Sequence, residues 1–304
     1  LPDFLKKYDH LNFIAWTTTP WTLPSNTALT VGPKIDYVVV ATYNQYTFKS
    51  INVILAKKLV GEQFAGKFLE VDSDEELKNY KKSDKKIPFK ILAECKGADL
   101  VGMKYEQLLP YTLPYYDADK AFKVISGDFV TTEDGTGIVH IAPAFGTDDM
   151  QLGEMHDLPF VQHVAKSGAF KHVFAETIDG GDFAGMLVKQ KNDLMSTDIE
   201  IIKRLAHDGK LFSKKKVVHS YPHYWRCDTP LLNYATTSWY VDVPSIKDKL
   251  IASNEKANWV PEHVGQGRFG KWLEGARDWA LSRSRFWGTP LPVWYNPVTE
   301  QNVV

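Results

Sequence analysis

Two stretches of this sequence gather hydroxyl, imidazole and carboxylate groups closely enough to act on a substrate. The first is Trp16-Thr17-Thr18-Thr19-Pro20-Trp21-Thr22-Leu23-Pro24. Three consecutive hydroxyls stopped by a proline supply donors and acceptors in a fixed arc, suited to holding a ribose or placing a water beside an ester. Threonines also serve strand edges and local turn bonds, and composition alone does not separate the two uses. The second stretch is Gly135-Thr136-Gly137-Ile138-Val139-His140-Ile141-Ala142-Pro143-Ala144-Phe145-Gly146-Thr147-Asp148-Asp149. It fails as a dinucleotide fingerprint, because His140 replaces the third glycine and the glycines precede a strand rather than a helix. Strand, glycine turn and a helix capped by Thr147 fit better. Asp148 and Asp149 then fall in the first helical turn, where the dipole favours a carboxylate by about 0.3–1 kcal/mol. That is their structural use; the functional one is capture of an ammonium group. His140 is either a pocket wall or a core histidine.

A third cluster, from His219 through His223 to Cys227, has ligand-type residues at steps of four. Zinc could bind that spacing on a helix, but Pro222 breaks the helix and no fourth ligand follows, so no metal site is expected. No G-x-S-x-G elbow occurs, which disfavours a serine hydrolase.

The elements that must position these groups alternate in type. Residues 12 to 18 and 121 to 130 read as strands, and residues 36 to 42, with Tyr37, Val38, Val39 and Val40, as a fully buried one. Residues 50 to 59 have helical composition, and Ile138 to Ala142 form a buried strand. A helix runs from about Asp198 to His207 with Ile199, Ile202 and Leu205 on one face, stopping at Gly209; another spans Gly270 to Arg283. Lys81 to Lys86 is a polar surface loop. Aromatic and proline residues crowd together after Ser220, placing a soft boundary near residue 216, after Lys214-Lys215-Lys216. Domains of 1–216 and 217–304 follow. The fold class is mixed α/β, with a closed or strongly curved sheet that periodicity cannot distinguish from an open one.

Hydrophobic residues are 44% and aromatics 13% of the 304, so a packed core is expected rather than disorder. Lys plus Arg number 36 against 37 Asp plus Glu, so any nucleic-acid contact must come from local basic patches. Two distant cysteines, Cys95 and Cys227, exclude a disulfide scaffold and fit a reducing compartment. No long apolar run or signal peptide is evident, and a cytoplasmic location without membrane contact is expected. A start at Leu1 suggests a piece of a longer polypeptide.

Taken together, the segments resemble one family. Thr-Thr-Thr-Pro-Trp-Thr-Leu-Pro-Ser-Asn (17 to 26) and the stretch from 135 to 149 resemble the two walls of the editing pocket in class I aminoacyl-tRNA synthetases. Tyr221-Pro-His-Tyr-Trp-Arg-Cys227, Ala235-Thr-Thr-Ser-Trp-Tyr240 and the segment from Asp278 to Gly288 resemble the return toward the synthetase core. The likeness runs from about residue 11 to residue 294. Thr19, Trp21 and His140 point to the isoleucyl subfamily, since valyl and leucyl members usually carry Thr-Thr-Arg-Pro and another residue at position 140. The family's His-Ile-Gly-His and Lys-Met-Ser-Lys-Ser signatures are both missing.

The resemblance implies an inserted editing domain with a β-barrel-like core and surrounding helices. Its activity would be hydrolysis of valine wrongly esterified to isoleucine-specific tRNA. Catalytic roles fall to Asp149, anchoring the valyl ammonium, and to Thr17 and Thr18, placing the terminal adenosine and a water. Thr19, Trp21, His140 and Phe145 line the substrate site, with Asp148 as the alternative anchor. No cofactor is implied for editing; ATP and magnesium belong to the parent synthetase, at sites outside these residues. The partners implied are isoleucine-specific tRNA, through its 3′-terminal adenosine, and the remainder of the synthetase. The rival readings are a module that grips the acceptor end without turnover, a hydrolase of small amino-acid esters or adenylates, and a valyl- or leucyl-specific relative.

Overall fold

Tyr37-Val38-Val39-Val40 sets the architecture, because no face of that strand can meet water. The computed structural model describes residues 2–109, 117–171, 183–218, 220–282 and 290–303. Contacts divide the chain into two compact units, Leu1–Ala235 and Thr236–Val304. Residues 220–235, grouped by composition with the C-terminal part, bond within the first unit. There Tyr234 Oη donates to Val164 O at 3.1 Å and Ala235 N to Ala144 O at 2.9 Å.

In the first unit, strands β1 (Leu11–Phe13), β2 (Ala28–Val31), β3 (Asp36–Tyr43), β4 (Ser50–Ala56), β5 (Phe68–Glu70), β6 (Ile87–Lys96), β7 (Lys123–Ser126) and β8 (Ile138–Ile141) build two mixed sheets. The larger has the order β1-β4-β3-β6-β5, the smaller β7-β2-β8. β3 is antiparallel to both β4 and β6, with a register shift between Val39 and Val40 on the β6 side. β2 is parallel to β7 and antiparallel to β8, pairing Leu29 with His140.

Side chains alternate across a strand, so β3 feeds two cores. Tyr37 and Val39 join Leu29, Val31, Val124 and Ile138 between the sheets, whereas Val38 and Val40 join Phe64, Phe68 and Phe89 on the far side. Tyr37 Oη donates to Gly137 O at 2.6 Å and accepts from Gly32 N, tying β3 to the turn before β8. Burial pushes that phenol up to about 12.

Helices α1 (Val60–Gln63), α2 (Asp74–Lys78) and α3 (Gly97–Leu100) are short connections; α4 (Thr147–Met155) and α5 (Ser196–His207) are longer. The second unit holds α6 (Lys247–Glu255), α7 (Gly270–Glu274) and two antiparallel ribbons, β9 (Tyr240–Val241) with β10 (Trp279–Ala280) and β11 (Trp294–Asn296) with β12 (Gln301–Val303). No helix among the described residues is long and apolar enough to cross a membrane.

The mixed α/β class stands, but the described strands form open sheets, so no closed barrel is present. Residues 50 to 56 are a strand rather than a helix: Ile51, Val53 and Leu55 are held between β1 and β3. Pairing on both sides outweighs local composition there. The strand expected over 12 to 18 ends at Phe13, leaving only a bridge from Trp16 to Val139 and putting Thr17 and Thr18 outside any strand. In α5, which begins at Ser196, the buried residues are Asp198 and the i, i+4, i+8 row Thr197, Ile201 and Leu205, while Ile199 is exposed. The helix expected from Gly270 ends at Glu274, before Gly275; Arg283 lies outside the described residues.

Candidate active site

Pro20 and Pro24 prevent the threonine segment from continuing as a strand, and it folds into a 3-10 turn, Pro20–Ser25, flanked by Thr19. Thr19 N donates to Thr17 Oγ1 at 3.0 Å, and the Thr17 and Thr19 hydroxyls lie 3.3 Å apart. Thr19 Oγ1 is 3.3 Å from Thr22 Oγ1, which donates to Thr19 O at 2.9 Å and lies 3.0 Å from His140 Nε2. The hydroxyl arc is therefore Thr17, Thr19 and Thr22, ending on His140. Thr18 is exposed beside it.

A hydroxyl has one proton. With the Thr22 proton on Thr19 O, His140 must donate from Nε2, leaving a lone pair on Nδ1. Nδ1 is buried and has no partner among the described residues. Burial holds the imidazole down to about 4, so it is neutral near pH 7.

β8 carries His140 inward, and the chain then turns through Ala142 to Gly146 before entering α4. Gly146, not Thr147, occupies the helix-capping position, and no side chain caps it; Thr147 is the first helical residue. Asp149 reaches back instead: its Oδ2 accepts from Ala142 N at 2.9 Å, two residues beyond His140. Desolvation raises the Asp149 pKa, the Ala142 N–H opposes this, and the neighbouring Asp148 adds to the rise. Asp148 itself is exposed. The structure thus brings Asp149, His140 and the threonine arc together around the C-terminal end of β8.

Trp21 and Phe145 lie behind this wall rather than on it. Trp21 is 2% exposed, its ring meets Phe145 edge-on at 5.1 Å, and both pack with Leu23, Val164, Phe170 and Ile201. Thr22 completes the wall, and behind it His163 and Asp198 bond the Trp21 backbone, His163 also pairing with Ser25 and Asp198 with Lys189; the sequence does not single these residues out. Thr22 lies within the Trp16–Pro24 stretch. The only trace of Asp198 in the sequence is a carboxylate at the head of an amphipathic helix; His163 leaves none.

Two surface concavities lie elsewhere, one against Phe183, Glu200 and Arg204, the other in the second unit against Arg268, Phe269 and Trp272. Among the described residues no three His, Cys, Asp or Glu side chains form a metal-holding group. Residues 221 to 231 form a tight turn in which Tyr224 N donates to Thr229 O at 2.8 Å and Asp228 has a φ of 55°. His219 of the third sequence cluster lies outside the described residues.

Comparison with known proteins adds the lineage. Residues 169–304 match the family model described as tRNA synthetases class I (I, L, M and V). The chain is 48% identical to the isoleucine–tRNA ligase of Bacteroides fragilis across 93% of its own length and 26% of that protein's. Against the isoleucine–tRNA ligase of Cytophaga hutchinsonii the figures are 47%, 94% and 27%. The chain thus spans about a quarter of the length of the curated relatives it matches. Among solved structures, the P. knowlesi cytosolic leucyl-tRNA synthetase editing domain aligns at 12% identity and a TM-score of 0.43, over 66% of this chain and 82% of that one.

Proposed function

The chain belongs to the class I tRNA synthetases as a stretch homologous to isoleucine–tRNA ligases, and from that premise we propose that it edits. The substrate of this reading is valine esterified to the 3′-terminal ribose of isoleucine-specific tRNA, the products valine and free tRNA. An apolar synthetic site separates side chains differing by one methylene only about 10–200-fold, isoleucine against valine on these enzymes being the standing example, so a second, size-excluding hydrolytic site is needed.

The observation that carries the reading is the meeting of the Thr17–Thr19–Thr22 arc with His140 and Asp149 at one strand end. Asp149 has one backbone donor and a second oxygen without a partner among the described residues, which suits it to a substrate ammonium. The threonine hydroxyls are placed to hold the terminal ribose and a water. That water attacks the ester carbonyl, the carbon–oxygen bond to the ribose breaks, and the ribose oxygen takes a proton. Neutral His140 forms a wall that admits valine and excludes isoleucine, with Trp21 and Phe145 packed behind as its support. The hydroxyls that stand beside an imidazole are buried and already bonded, Thr22 giving its proton to Thr19 O and Ser25 to His163, so attack by water is preferred to a covalent acyl-protein intermediate.

The test is deacylation of valyl- and isoleucyl-tRNA, both on isoleucine-specific tRNA. The chain should release valine selectively, Asp149→Ala should lose at least about a hundredfold in rate, and Lys166→Ala should change little. Valine release that survives Asp149→Ala would remove the anchoring role. Binding of tRNA without turnover would instead favour an acceptor-end binding module.

A further inference from the structure

The Trp21 ring packs in the core, and the residue's hydrogen bonds are made by its backbone. Its N–H donates to Asp198 Oδ1 at 3.2 Å, and its carbonyl accepts from His163 Nε2 at 2.9 Å. A carbonyl can only accept, so His163 carries its proton on Nε2 and its Nδ1 accepts from Ser25 Oγ. One imidazole thereby bonds both ends of the turn that bears Thr22. Asp198 stands in the first turn of α5, and its other oxygen forms a close ion pair with Lys189. Those side chains are only 5% and 7% exposed. Lys189 Nζ also donates to Leu194 O at 3.0 Å and lies over the Tyr221 ring.

Stability alone is a weak reason for such a pair, because desolvating two charges offsets most of their attraction and apolar replacements are often neutral or better. An apolar side chain, however, cannot accept the Trp21 N–H. Lys189 allows a carboxylate to stay in that position. We propose that Asp198 is a positioning residue for the ester hydrolysis proposed above: acting through the Trp21 peptide, opposite His163, it keeps the Thr19 and Thr22 hydroxyls aligned on His140. The inference rests on the editing reading.

Two neutral double variants separate the acceptor from the charge. Asp198→Asn with Lys189→Met keeps an oxygen for Trp21 N–H; Asp198→Leu with Lys189→Met does not. On the valyl ester of isoleucine-specific tRNA, the asparagine pair should keep kcat within about threefold of the parent chain. The leucine pair should lose at least about tenfold in kcat with KM little changed. The Trp21 amide should exchange slowly with solvent in the parent and the asparagine pair, and at least about a hundredfold faster in the leucine pair. If the leucine pair does not fold, Asp198→Ala with Lys189→Met removes the same acceptor and is read the same way. Equal rates and equal Trp21 protection in both pairs, on an active parent, would overturn the clamp alone. A parent chain that leaves valyl-tRNA intact would overturn the editing reading, and with it any catalytic meaning of the clamp.

Discussion

His140 has two duties that mutation can separate. Its imidazole bonds Thr22 through Nε2, and its bulk forms the wall of the proposed sieve. His140→Ala removes both and is expected to admit the isoleucyl ester, lowering the valine-to-isoleucine hydrolysis ratio by about tenfold or more, the usual worth of one methylene. His140→Gln keeps an N–H for Thr22 and should retain more valyl hydrolysis than the alanine variant. Deacylation of both esters by both variants decides the matter, and an unchanged ratio would return His140 to the core. At this scale the sequence was informative where chemistry was local. Asp149 and His140 were legible because a glycine turn and a helix start bracket them. Thr22 was legible only as a motif member, and its replacement of Thr18 in the arc depends on a turn geometry that residue types do not specify. His163 and Asp198 were not legible, because their partner Trp21 lies 142 and 177 residues away.

Between elements, the tightest fit is the turn before β8. Gly137 has a φ of +73°, and a Cβ there would come within 2.4 Å of the Ala56 Cβ at the end of β4. Gly137→Ala therefore combines a left-handed backbone with a clash and should destabilise by more than about 1 kcal/mol, measured by denaturant unfolding. Adding Ala56→Gly removes the clash but not the backbone cost, so it should restore part of the loss; no recovery would mean that the conformation alone matters. The same turn shows why β3 and β8 could be read from sequence and β4 could not. Continuous apolar runs identify a strand buried on both faces, as in Val38 to Val40. Residues 50 to 56 mix Ser, Asn and Ala with β-branched side chains, and only pairing with distant partners makes them a strand. α7 ends early for a local reason, Gly275 directly after Glu274.

At the scale of the whole molecule, the buried His140 and His163 bear directly on the response to acid. Burial lowers His140 from 6.5 to about 4 and His163 to about 3. Between 6.5 and those values the unfolded chain binds protons that the folded chain refuses. The stabilisation is thus complete above 6.5 and is lost as pH falls through the window. Each histidine contributes up to about 1.4 kcal/mol per pH unit, so lowering pH from 7 to 5 should cost about 2–4 kcal/mol. Asp149 and Asp198 act in the opposite sense: with folded pKa values raised above 3.8, they take up protons first in the folded state. Denaturant unfolding at pH 7 and pH 5, repeated with His163→Gln, should show roughly half the pH dependence remaining. An unaltered slope would mean that His163 is not buried in its neutral form.

The clamp on Trp21 also has a temporal consequence. Its carboxylate arrives 177 residues after the tryptophan it holds. At a synthesis rate of about 5–20 residues per second, some 9–35 s separate the two on the ribosome. For that interval the threonine segment is translated but not held at its N–H. Proofreading, on the reading proposed here, would therefore await the synthesis of Asp198, after both recognisable motifs had been made.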